Sequence, residues 1–192
     1  MSFCSSVKSE LLNLRVSGCC RQAFSYGFML FGRAFSIKRI ALQTANEEVA
    51  RGYSTAIFQT YKIRPEIKTG GSKKPTFVAE VLSEADRLKI LAEYDFGMNE
   101  ELIDESIFLR DCCFASFVRG AFLSCGNIND PEKEYRLEFN VKTETIALEL
   151  QALLLREGIS LKSTKNGKGL NSPRGKSPPS RHLHRCLCAL AQ

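Results

Sequence analysis

No stretch of this 192-residue chain is apolar for the roughly 18 residues that a membrane span needs. The longest candidate, Ala23 to Phe31, covers only nine. The opening MSFCSSVKSELL has no basic stretch followed by an apolar core, which argues against a secretory signal. The eight cysteines are therefore expected as reduced thiols in a cytosol. Acids are missing from Lys168 to Gln192, where five Lys/Arg stand alone and supply most of the formal charge of +6. Residues 1–167 carry 22 basic and 21 acidic side chains, so net charge alone does not make the body a nucleic-acid binder. What the chain does have is 44% apolar residues and 13 Phe, enough for one packed domain or two small ones.

The chain repeats itself. IALQTANEEVA (Ile40–Ala50) aligns with LEFNVKTETIA (Leu137–Ala147) at an offset of 97 residues. In both copies apolar alternation at period 2 gives way to an i, i+4, i+7 stripe, so a strand runs into an amphipathic helix. Thr44 followed by Glu47 reads as a capping box at the first junction. Each copy is preceded by a Cys-Cys pair, Cys19-Cys20 or Cys112-Cys113, that opens an apolar helix ending at Gly32 or Gly126. Two homologous halves are expected.

After an N-terminal helix within 1–18, the first half (19–95) predicts a helix Cys20–Arg33 and strands near Ala34–Lys38 and Arg39–Thr44. A helix from Asn46 to Thr60 and strands Arg64–Thr69 and Thr76–Val81 around the turn GGSKKP follow. A closing helix capped by Ser83 and reaching Tyr94 completes the order αββαββα. A linker (96–110) leads to the second half (111–167), with a helix Cys112–Cys125, two strands to Val141, a helix Thr143–Arg156 and a strand Ile159–Thr164. There the pattern stops. Residues 168–192 hold both His, three of the six Pro and no periodicity. A domain seldom ends inside a hairpin, so a frameshifted tail that leaves the second half incomplete is expected; the other reading is a basic, disordered tail.

A duplicated αββαββα unit with glycines in each first helix resembles the LAGLIDADG homing-endonuclease fold. FVRGAFLSCG carries Gly120 and Gly126, and YGFMLFG carries Gly27 and Gly32 as a weaker copy. Together with TANEEVA, FVRGAFLSCGNINDPEKEYRLEF and GISLK, the sequence resembles the bacterial WhiA family of sporulation and cell-division transcription regulators. The resemblance implies an α+β domain in which the two first helices pack at a pseudo-twofold axis. It also implies a bacterial, cytoplasmic, nucleoid-associated regulator of transcription, cell division and chromosome segregation. The family's C-terminal helix-turn-helix domain is absent from these residues. In the endonucleases a carboxylate precedes the final glycine of each helix and holds the catalytic divalent metal. Those positions here are Phe31 and Cys125, neither a ligand for a hard ion, so no catalytic residue and no cofactor are expected. A metal-dependent endonuclease and a protein-interaction scaffold remain the alternatives.

In that fold the outer sheet face meets duplex DNA. Alternation puts Tyr135, Leu137, Phe139 and Val141 inward, with Arg136, Glu138, Asn140 and Lys142 outward. On the aligned strand Ile40, Leu42 and Thr44 go in, and Arg39, Ala41 and Gln43 go out. Arg64 and Lys68, with Lys162 in the second half, extend the candidate face for double-stranded DNA. Glu66 and Glu138 interrupt it, and an ordinary solvated face would look much the same. Neither a membrane nor a small-molecule substrate is indicated. The four paired cysteines suit zinc by type, but adjacent cysteines on a helix diverge by about 100°, so buried thiols packing as small hydrophobes is the simpler reading. His182, His184, Cys186 and Cys188 in the tail suit zinc by type without a recognised spacing.

Overall fold

The computed structural model describes residues 2–71, 75–94, 103–130, 136–164 and 169–171. Tyr135, the middle of the GGSKKP turn, much of the linker and the tail's His182, His184, Cys186 and Cys188 lie outside them. Helix α1 (Phe3–Asn13) is shorter than its segment, and a 3₁₀ turn at Gly18–Cys20 precedes α2 (Arg21–Leu30). Then come β1 (Ala34–Phe35), β2 (Ile40–Thr44), α3 (Glu47–Tyr61), β3 (Glu66–Gly70), β4 (Thr76–Val81) and α4 (Glu84–Leu91). The second half supplies α5 (Asp111–Cys125), β5 (Gly126–Ile128), β6 (Leu137–Asn140), α6 (Glu144–Arg156), β7 (Lys162–Ser163) and β8 (Gly169–Asn171).

Both sheets are antiparallel and have the same strand order, β1-β2-β4-β3 and β5-β6-β8-β7. The duplication is therefore one of topology as well as of sequence. The register agrees too: Leu42 faces Ala79 in the first sheet, and Phe139 faces Leu170 in the second. Helix α3 lies on the first sheet and α6 on the second, with α2 and α5 packed against each other between them. One apolar cluster runs through both halves, so neither half has a core of its own. Tyr26, Phe117, Tyr94 and Phe35 meet at its centre, with the Tyr26 and Tyr94 rings stacked 4.3 Å apart. No helix among the described residues is long and apolar enough to cross a membrane.

Three local readings change. The cap of α3 is Asn46, whose Oδ1 accepts from the Glu48 and Val49 amides; Thr44 instead accepts from the Asn46 amide, so it shapes the approach to the helix. Asn46→Ala should cost about 1 kcal/mol in denaturant unfolding, and Thr44→Val clearly less; equal losses would restore Thr44 as the cap. Ala41, expected outward, is fully buried; it pairs with Ala34 of β1, and Gly32 just beyond α2 packs on its carbonyl. The largest correction concerns the end of the second half. Strand β8 falls inside the segment expected as tail, pairs with both β6 and β7, and buries Leu170 completely. The hairpin thus gains its return strand. The shortness of β8 also confines β7 to Lys162–Ser163 rather than Ile159–Thr164, though Ile159 and Leu161 are still buried.

Candidate nucleic-acid interface

The two first helices cross where Gly27 meets Gly120. A Cβ on Gly120 would press on the Phe24 carbonyl oxygen and lie 2.7 Å from the Phe28 nitrogen. One on Gly27 would collide with the Phe117 carbonyl. Gly32 and Gly126 have other tasks. Gly32 stands against the Ala41 and Met29 carbonyls, and Gly126 against the Phe122 ring of its own helix. Of the four glycines expected at the helix pair, two make the crossing and two make the exits.

Those exits open on a groove of about 700 Å³ between the two sheets. Phe31 and Gly32 line it from the end of α2, and Ser124, Cys125 and Gly126 from the end of α5. Gln43 comes from β2; Asn140 and Lys142 come from and just beyond β6, and Arg33 from the loop after α2. No Asp or Glu is among the described residues that line it. Phe31 is buried and apolar, and burial pushes the Cys125 thiol up to about 12, so it stays neutral. Lys142 stands at the exposed lip, yet desolvation lowers its ammonium to about 8; Arg33 pushes the same way and Cys125 opposes. The arrangement offers positive charge and amides to an anion, and no hard ligand to a divalent cation.

The structure brings together only part of the predicted face. Gln43, Asn140 and Lys142 converge on the groove. Arg39 is held by Glu80 in a two-pronged ion pair of 2.9 and 2.7 Å. Arg136 pairs with Glu138 at 2.5 Å, and Lys68 approaches Glu66 at 3.8 Å. Arg64 lies before β3 and stacks 4.2 Å above the Phe58 ring of α3, turned toward the helix rather than along the strand's outer face. Lys162 is exposed on β7. Arg33 was not anticipated; its place immediately after the exit glycine was the available signal.

At the opposite ends of α2 and α5 the two cysteine pairs meet. All four Sγ atoms, of Cys19, Cys20, Cys112 and Cys113, lie within 4.8 Å of one another. They form a cluster rather than four separate packing thiols.

A duplicated α+β domain, with its first helices crossing glycine on glycine and ending on a groove between two four-stranded sheets, is a LAGLIDADG-type domain. Residues 114–170 match the WhiA LAGLIDADG-like domain. Residues 114–170 thus carry the WhiA LAGLIDADG-like domain, and the chain is similar to WhiA proteins over most of its own length. It is 34% identical to a protein named Probable cell division protein WhiA from Oceanobacillus iheyensis, over 87% of this chain and 57% of the relative. The corresponding protein of Ruminiclostridium cellulolyticum is 33% identical, over 86% of this chain and 56% of the relative. The chain thus spans somewhat over half the length of these curated relatives. The N-terminal LAGLIDADG domain of DUF199/WhiA has the same fold, with a TM-score of 0.67 at 17% identity over 99% of this chain and 92% of that one. A crystal structure of the I-DmoI protein in complex with its target DNA superposes at a TM-score of 0.52 and 9% identity, over 88% of this chain and 90% of that one.

Proposed function

We propose that this chain is the DNA-docking domain of a WhiA-type transcription regulator, one that grips duplex phosphates without cutting them. The groove at the helix exits carries the reading. By the family's motif register it sits where an endonuclease of this fold would hold its metal, with Phe31 and Cys125 at the expected ligand positions, and Lys142, Arg33, Asn140 and Gln43 line the same groove. Regulation of sporulation, cell division and chromosome segregation, and a nucleoid-associated place in the cytoplasm, follow from the family. Specific affinity is assigned to a helix-turn-helix domain of the whole protein. The ion pairs of Arg39, Arg136 and Lys68 support a second reading, a protein-docking scaffold, because they neutralise much of the outer face.

Duplex binding by the purified chain, followed by anisotropy through a salt series, tests both readings. Docking on phosphates predicts weak retention that falls steeply with salt. Glu138→Gln, which frees Arg136, should then tighten binding several-fold. Retention that ignores both salt and Glu138→Gln leaves the scaffold. Nicking of plasmid with Mg²⁺ or Mn²⁺ would sink the non-cutting assignment.

A further inference from the structure

We infer that Cys19, Cys20, Cys112 and Cys113 bind a single zinc ion that clamps the two halves together at the N-terminal ends of α2 and α5. The geometry carries this. A tetrahedral zinc-thiolate site has Zn–S bonds of about 2.3 Å, which places its sulfurs about 3.8 Å apart. Here Cys19 and Cys20 Sγ are 3.6 Å apart, Cys19 and Cys112 Sγ are 3.9 Å apart, and all four sulfurs fall within 4.8 Å. All four cysteines are free thiols. The divergence expected of adjacent helical cysteines does not arise for the first pair. Cys19 lies in the 3₁₀ turn and Cys20 at its junction with α2, so their sulfurs converge. The second pair occupies the first turn of α5.

Three further features suit a negatively charged metal-thiolate centre. Neither α2 nor α5 has a side-chain cap at its N-terminus, so both helix ends leave their positive potential facing the cluster. Arg119 on α5 is completely buried, and its Nε, Nη1 and Nη2 have no hydrogen-bond partner among the described residues. Its guanidinium rests on the Phe24 ring 4.8 Å away. A buried, unpaired guanidinium is costly, and a neighbouring thiolate centre would compensate it. Finally, Cys20 and Cys113 are buried while Cys19 is exposed, which gives an ion a way in and a dry seat. Two ligands come from each half, so the ion bridges the pseudo-twofold axis and closes the contact between the halves. Zinc fits better than magnesium or calcium because the donors are all soft sulfur.

The test uses the full chain, stripped of metal by a chelator under reducing conditions and titrated with Co²⁺. Thiolate-to-cobalt charge transfer and tetrahedral visible bands should appear, saturate at one ion per chain, and be bleached by Zn²⁺. Zinc should raise the melting temperature in a concentration-dependent way. Cys19→Ser should lose the bands; the position is exposed, so this variant keeps the fold, as circular dichroism would verify. Cys112→Ser should do the same. A chain with His182→Ala, His184→Ala, Cys186→Ser and Cys188→Ser should keep them. Absence of tetrahedral cobalt bands in the parent chain overturns the site. So does a signal abolished by the tail substitutions and untouched by Cys19→Ser. A Cys19–Cys112 disulfide in freshly isolated protein that binds no cobalt after reduction also overturns it.

Discussion

Gly120→Ala is expected to destabilise the domain by about 3 kcal/mol net, even though alanine is the better helix former by about 1 kcal/mol. The added methyl would meet main-chain atoms of α2, the Phe24 carbonyl and the Phe28 nitrogen, which no rotamer change can move aside. The helices would have to separate, and Tyr26, Phe28 and Phe117, all fully buried around the crossing, would have to follow. Against a total stability of about 5–15 kcal/mol that is a large fraction. A chain of this size should lose roughly 10 °C in melting temperature. Gly27→Ala should behave alike, since its methyl would strike the Phe117 carbonyl. Gly70→Ala is the control: nothing lies within 4 Å of a Cβ there, and its cost should stay below about 0.5 kcal/mol. If Gly120→Ala melts with the parent, the helices do not cross as tightly as described.

The glycines also show what sequence reading can reach. All four helix glycines stood out because a glycine inside an apolar helix needs a reason, and close approach of two backbones is the common one; that only Gly27 and Gly120 make that approach was not legible. The duplicated strand-to-helix register was equally visible, since period 2 followed by period 3.6 leaves a local pattern. What escaped depends on long-range pairing. Strand β8 is three residues in a glycine- and proline-rich context, and only its partners β6 and β7 make Gly169–Asn171 a strand. The neutralised cations escaped for a related reason. Arg39 and Glu80 are neighbours only because β2 pairs with β4, while Arg136 and Glu138 are close in sequence and could have been paired by eye. The cysteine cluster was half legible: the two pairs stand at equivalent ends of the paired helices, but adjacent cysteines on a helix are expected to diverge, and the 3₁₀ turn that lets Cys19 and Cys20 converge left no local signal.

Lys142→Glu should weaken duplex binding by tenfold or more, the largest single loss expected on the interface, because it reverses a charge where both halves meet. The parent should also show a pH dependence that the substitution removes. The Lys142 ammonium is lowered to about 8 by desolvation, with Arg33 acting in the same direction, and in an unfolded chain it would titrate near 10.5. A phosphate in the groove would favour the charged form, so binding takes up a proton where the free protein has begun to lose one. DNA affinity should therefore fall as pH rises through about 8, by no more than the tenfold per unit that one proton allows. Stability has the opposite sign. The penalty of holding a charged ammonium there is present below about 8 and is relieved as pH climbs toward 10.5, so Lys142 makes the fold firmer while the grip loosens. The Cys125 thiol beside it, pushed up to about 12, stays out of this window. Cys19, held lower at about 7 by its Ser17 and Cys20 hydrogen bonds, titrates nearby in pH but at the far end of the helices. Lys142→Gln separates the two: it should flatten the affinity profile between about pH 7 and about pH 9 and leave any cysteine-dependent effect in place. A profile unchanged in Lys142→Gln would mean that the groove is not where the duplex lies.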